Sequence, residues 1–239
     1  AAEQRIRISV QHATTGAMIE LEESVSLLKA VDGRVVGAVA VLRDVTAAAE
    51  QEARMENMAF HDALTGLPNR RLLHDRAKQA MAQAKRTGEK VAVVYLDMDG
   101  LKQINDRLGH QAGDAAIVHA ANSLKTCVRE SDTVCRLGGD EFVLLLPTLS
   151  GTVQLQALAN KLQQVSAQPF VWEGQSFVQH FSVGIAVYPD HALEWEDLLH
   201  GADCAMYAAK QAGRNQIHVY QGAQVTTPLV VDRTLAAVD

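Results

Sequence analysis

Two acids, Asp140 and Glu141, directly follow Gly138 and Gly139 in the stretch Arg136-Leu137-Gly138-Gly139-Asp140-Glu141-Phe142. Val134, Cys135 and Leu137 before it and Phe142 to Leu146 after it have the composition of strands, which predicts a β-hairpin turning on the two glycines. Glycine reaches positive φ at little steric cost and, lacking Cβ, lets a ligand lie against the backbone. Two carboxylates beside such a turn invite a cation, although an ordinary hairpin tip with solvated acids fits this segment equally well. A second segment breaks the tie. Val91 to Leu96 is a continuous apolar run, the pattern of a strand buried on both faces, and it ends in Asp97-Met98-Asp99. A carboxylate at the end of a buried strand costs several kcal/mol unless it is paired or bound to metal, and no Lys or Arg stands nearby until Lys102. If the two strands are neighbours, Asp97 and Asp140 converge as hard oxygen ligands of the kind that suit Mg²⁺, which is commonly held by one or two carboxylates plus substrate phosphates.

Other motifs follow in order. They are Asp62-Ala63-Leu64-Thr65-Gly66-Leu67-Pro68-Asn69-Arg70, then Asp97-Met98-Asp99 leading through Lys102, Asn105 and Gly109-His110 to Gly113-Asp114, then the Gly-Gly-Asp-Glu-Phe hairpin, then Tyr207-Ala208-Ala209-Lys210 with Gly213-Arg214-Asn215. Together they resemble a GGDEF-family diguanylate cyclase domain over residues 58 to 221. The resemblance implies an α/β (α+β) fold like the nucleotidyl-cyclase catalytic domain and the polymerase palm, with a central sheet and flanking helices. It implies condensation of two GTP into cyclic di-GMP and two pyrophosphates with Mg²⁺ or Mn²⁺, by a homodimer that brings two active sites together. In the residues that match, Asp97 and Asp140 become metal ligands and the Met98 carbonyl a third protein contact. Glu141 either binds a second metal or assists deprotonation of the attacking hydroxyl. Gly138 and Gly139 lie against substrate, and Lys102, Lys210 and Arg214 contact the triphosphate.

Asn105 and Asp114 are nine positions apart across the Gly109-His110 turn, so a helix, a turn and a helix start can bring both to one point. Read alone, they suit a helix C-cap and a favourable acid in a first helical turn. In the light of the resemblance they select GTP, an amide and a carboxylate matching the acceptor and donors of the guanine edge. Lys210 and Arg214, read alone, are dipole partners at a helix end. Asp99 either joins the site or shapes the loop. Arg129-Glu130-Ser131-Asp132 stands five residues before Gly138, the spacing of the family's product-inhibition site, where Arg129 and Asp132 would bind cyclic di-GMP. A surface ion pair is the alternative.

Composition bounds the rest. The 239 residues are 48% hydrophobic and 21% charged, a globular balance, and no apolar run is long enough to span a bilayer. The net charge of -6 argues against a broad nucleic-acid surface. Cys127, Cys135 and Cys204 lack metal or redox spacing and read as reduced core residues of a cytoplasmic protein, whose parent could still be membrane-anchored. The chain opens at Ala1 in the middle of a pattern, as expected of a piece of a longer protein.

Residues 1–45 alternate as strands, with Asp32-Gly33 as a hairpin signal, and Gly33 to Thr46 resembles the final strand and closing motif of a PAS sensor domain. Residues 46–61, with Thr46 as N-cap, predict a linker helix. Residues 62–221 are expected to form the catalytic domain, with helices over 70–86, 111–129, 152–167 and 195–212 and a hairpin of strands 170–172 and 177–188 on Glu173-Gly174. Residues 222–239 read as a tail or linker. A catalytically silent module that binds GTP or cyclic di-GMP to regulate a neighbouring domain is the competing function, and retention of Asp97, Asp140 and Glu141 favours the enzyme.

Overall fold

The computed structural model of the chain describes residues 4–222 and 227–229. They divide into two compact units, residues 1–59 and 60–239. In the first, β1 (Gln4–Gln11), β2 (Met18–Lys29) and β3 (Val35–Asp44) form an antiparallel sheet in that order, followed by α1 (Thr46–Phe60). The register places Ile8 opposite Leu21, Val10 opposite Ile19 and Val25 opposite Ala40, which gathers apolar side chains on one face. The helix start differs from the expected cap. Asp44 accepts the Thr46 amide at 2.9 Å and its hydroxyl at 2.6 Å, while Thr46 Oγ1 accepts the Glu20 amide at 2.9 Å. Asp44 therefore satisfies the helix start, and Thr46 ties it to the sheet.

The second unit is built on a mixed six-stranded sheet. Its elements are α2 (Arg70–Thr87), β4 (Lys90–Asp99), α3 (Leu101–Leu108), α4 (His110–Cys127), β5 (Thr133–Gly138), β6 (Glu141–Leu149), α5 (Thr152–Ser166), β7 (Pro169–Trp172), β8 (Gln175–Val178), β9 (His180–Tyr188), α6 (Trp195–Gln211), β10 (Ile217–Val219) and β11 (Thr227–Pro228). The sheet order is β11-β10-β9-β4-β6-β5, with β9 and β10 parallel and every other neighbour antiparallel. Buried Ala92, Val94 and Leu96 meet Ala116, Ala120 and Leu124 of α4 and Leu158 and Leu162 of α5. Val91, Val93 and Tyr95 meet Leu73 and Ala77 of α2 and Leu198, Ala202 and Met206 of α6. β4 is thus covered on both sides, as its unbroken apolar run requires. α6 lies so close to β9 that a Cβ on Gly184 would stand 2.0 Å from the Ala202 carbonyl oxygen.

Several sequence expectations are corrected. The β5–β6 turn consists of Gly139 and Asp140, because Gly138 pairs with Glu141 at the strand ends. β7 and β8 form their own two-stranded ribbon, and the predicted strand over 177–188 is broken at Gln179. Within the expected tail, Thr227 and Pro228 pair with Val219 and His218; residues 223–226 and 230–239 lie outside the described residues. Cys127 and Cys135 are buried, and burial pushes their thiols up to about 11 and about 12. Cys204 is only partly buried, with its sulfur 3.5 Å from His200 Nε2.

Candidate functional site

The site forms where the apolar run of β4 stops. Strand pairing sets Asp97 opposite Glu141 and brings the Met98 amide to the Asp140 carbonyl at 3.0 Å, so the two acidic segments meet across one ladder. Alternation along β4 puts Tyr95 and Asp97 on the face covered by α6. Lys210, near the end of that helix, reaches Asp97 Oδ2 at 2.7 Å. Asp97 is only 6% exposed. Burial pushes its carboxyl above the ordinary range, Asp140 and Asp99 add to that, and Lys210 opposes it.

A cleft of about 640 Å³ opens here, lined by Asp97, Met98, Lys102, Asp140, Lys210 and Arg214 among others. These six, each given a role by the resemblance, therefore share one cavity, and Asp99 lines it as well. Glu141 stands opposite Asp97 in the ladder, and burial, with the Glu141 charge adding to it, pushes Tyr95 far up. Gly139 has φ 54°, a left-handed conformation that places Asp140 at the tip, and an added Cβ on Gly138 or Gly139 would meet no atom within 4 Å. Asn105 caps α3 through its carbonyl, which accepts the Gly109 amide at 2.9 Å. Its side chain lies over Gly113, where a Cβ would stand 1.9 Å from Asn105 Oδ1. That close approach sets the Asn105 side chain against the residue that precedes Asp114 in α4.

Arg129 and Asp132 line a separate hollow of about 290 Å³ together with Arg76 and Lys125. Asp132 Oδ2 accepts the Arg129 backbone amide at 2.9 Å, which closes a turn at this hollow.

Sequence reasoning missed the support of the hairpin. Arg136, 9% exposed, donates from Nε and Nη2 to the Gly139 carbonyl at 3.1 and 2.8 Å and from Nη1 to Asp62 at 3.0 and 3.1 Å. Asp62 also accepts the Thr65 amide and hydroxyl. Both residues stood in motifs already singled out, but nothing local in the sequence joins residues so far apart. Asp99, left open above, holds Ser182 and Asn215.

The family described as "Diguanylate cyclase, GGDEF domain" matches residues 59–216. The chain belongs to the GGDEF diguanylate cyclase family. This GGDEF chain is 43% identical over 166 residues to the diguanylate cyclase TpbB of Pseudomonas aeruginosa, covering 69% of the chain and 38% of TpbB. It is 40% identical over 201 residues to MucR of the same species, a bifunctional diguanylate cyclase/cyclic di-GMP phosphodiesterase, covering 84% of the chain and 28% of MucR. The chain thus spans well under half the length of these curated relatives. The crystal structure of the TpbB GGDEF domain superposes with a TM-score of 0.64 at 39% identity, covering 66% of this chain and 98% of that one. The coiled coil and GGDEF domain of DgcB from Caulobacter crescentus, in complex with c-di-GMP, gives 0.65 at 27% identity over 75% and 93% of the two chains. The mixed α+β fold expected from the motifs is the fold observed.

Proposed function

We propose that this GGDEF domain joins two GTP molecules into cyclic di-GMP, with Mg²⁺ or Mn²⁺ held by Asp97 and Asp140. The cleft carries the reading: two carboxylates stand together with Lys102, Lys210 and Arg214, the charge pattern that a metal-bound triphosphate would match. The donor set fits such an ion. Lys210 already places a positive charge on the under-satisfied Asp97, and no cage of three His, Cys, Asp or Glu side chains gathers among the described residues. A hard cation held here by Asp97 and Asp140 would draw its remaining ligands from the Met98 carbonyl, water and substrate phosphates. When bound, it lowers the pKa of the attacking hydroxyl and screens charge on the leaving oxygens.

Each of two equivalent steps forms a bond from the ribose 3′ oxygen of one GTP to the α-phosphorus of the other. The α–β phosphoanhydride bond breaks, pyrophosphate departs and the hydroxyl proton is lost. Lys102, Lys210 and Arg214 neutralise the departing pyrophosphate, and Gly138 and Gly139 leave room for nucleotide against the hairpin. Glu141 supports a second ion or takes the proton. Asn105 and Asp114 meet the guanine edge and exclude adenine.

One domain holds one GTP, so two copies must face each other, and a homodimer is the working unit. Product at Arg129 and Asp132 inhibits by holding domains in a non-productive pairing; the c-di-GMP complex of DgcB supports a product site in the family. Residues 1–45 serve as the last strands of a PAS-like sensory piece and 46–61 as the helix that passes its signal to 62–221. The chain acts in the cytoplasm without nucleic acid, and among the described residues no helix is long and apolar enough to cross a membrane.

Incubation with GTP and Mg²⁺ followed by nucleotide separation tests the proposal. Cyclic di-GMP should form at a rate per chain that rises with protein concentration until dimers saturate, and Arg129→Ala should relieve product inhibition with the initial rate nearly unchanged. No product at any concentration refutes the cyclase reading.

A further inference from the structure

The acid that ends β4 is held differently from its neighbours. Asp99 Oδ1 accepts the Ser182 hydroxyl at 2.8 Å, Oδ2 accepts the Asn215 amide at 3.0 Å, and Arg214 Nε stands 3.8 Å from Oδ1. Its side chain is 10% exposed, whereas that of Arg214 is 65% exposed. Both oxygens of Asp99 are therefore engaged by the protein, and the guanidinium they steady stands at the cleft.

The loop they hold is strained. Gly213, Arg214 and Asn215 have φ of 118°, 63° and 47°, so two residues with side chains sit in the left-handed region, at a steric cost. A charge-assisted bond from the Asn215 amide to Asp99 offsets part of that cost. The same loop is fastened to the helix behind it, since the Arg214 amide donates to Ala209 at 3.0 Å and the Gly213 amide to Lys210 at 3.4 Å. Asp99 is thus the point where the end of the central strand fixes the segment that presents both Lys210 and Arg214.

We propose that Asp99 is a positioning residue and not a metal ligand: it locks the left-handed Arg214-Asn215 pair so that the guanidinium meets the polyphosphate, and so sets the preference for a nucleoside triphosphate over a monophosphate. The proposal rests on the GTP reading of the cleft. Asp99→Asn keeps the size of the side chain and removes its charge, so Arg214 loses its anchor while the nearby carboxylates stay intact.

Equilibrium binding of GTP and GMP to the whole chain, with Mn²⁺ titrated separately, tests this on wild type, Asp99→Asn, Arg214→Ala and the double variant. Asp99→Asn should weaken GTP about tenfold with GMP unchanged, and the double variant should bind GTP no more weakly than Arg214→Ala alone, because both act through one contact. The Mn²⁺ half-saturation should stay at the wild-type value. Additive losses, an equal loss on GMP or a raised Mn²⁺ requirement overturns the positioning role. Should Asp99→Asn not fold, Ser182→Ala loosens the same carboxylate and should weaken GTP about two- to fivefold while sparing GMP; equal losses on both nucleotides overturn the proposal. Wild-type protein that does not distinguish GTP from GMP overturns the reading of the cleft itself, which the variant comparisons then identify as a separate failure.

Discussion

Asp62 pairs with Arg136 and Asp97 with Lys210, yet the two carboxyls move in opposite directions. Burial pushes Asp62 up, but the Thr65 hydroxyl and amide and the Arg136 guanidinium outweigh it and hold the group below the usual carboxylate range. Burial also pushes Asp97 up, and there Lys210 works against the added repulsion of Asp140 and Asp99. One acid is saturated by donors that belong to the fold; the other is left short of positive charge beside a cleft. The clamp at Asp62 therefore contributes stability and shape, whereas the end of β4 keeps an electrostatic deficit that a cation can fill.

Variants can break or sharpen this contrast. The largest effect is expected from Asp140→Ala, which should reduce cyclic di-GMP formation at least about a thousandfold, because a proposed metal ligand is lost from a hairpin tip with no core contact. Its thermal midpoint should stay within about 2 °C of wild type, and activity within a few-fold of wild type would sink the metal assignment. Asp62→Ala should do the reverse at the level of the fold, costing about 2–3 kcal/mol by leaving Arg136 buried and half-paired. Denaturant melts that show no loss would reduce the clamp to a surface contact.

If Asn105 makes the proposed guanine contact, Asn105→Ala should narrow the proposed preference for GTP over ATP by about tenfold in competition binding, while the fold keeps its backbone cap. An unchanged ratio would return Asn105 to its capping role alone. The smallest effect is the pH dependence of the clamp. The folded carboxyl of Asp62 lies below its unfolded value, so its stabilisation is complete above about pH 4 and is lost as pH falls through the folded pKa. The stability gap between wild type and Asp62→Asn, measured in urea, should therefore narrow below about pH 4; a gap that widens there has the wrong sign for this account.

How much of this was legible follows from the range of each interaction. The run Val91–Leu96 announced a strand covered on both faces, because period and polarity are local properties, whereas the meeting of Asp97 with the Asp140 segment waited on the pairing of β4 with β6. The predicted helices over 70–86, 152–167 and 195–212 each end within about two residues of the observed boundaries, the usual tolerance for helix ends. Turns were read less well: Gly138-Gly139 gave the hairpin but not its phase, which the pairing of Gly138 with Glu141 decides. The strands at Ile217 and Thr227 were missed because each is too short to show alternation and exists only by pairing with a neighbour.

The sequence by itself determined the family, the motifs that carry it and the strand that bears Asp97, since these rest on residue type and short spacing. Tertiary structure alone decided what each charge touches. Lys210 compensates Asp97, Arg136 ties Asp62 to the Gly139 carbonyl and Asp99 anchors Arg214 and Asn215. Each of these contacts joins residues brought together by sheet pairing and helix packing. Electrostatic partnership depends on distance and burial in three dimensions, which no local pattern of side chains encodes.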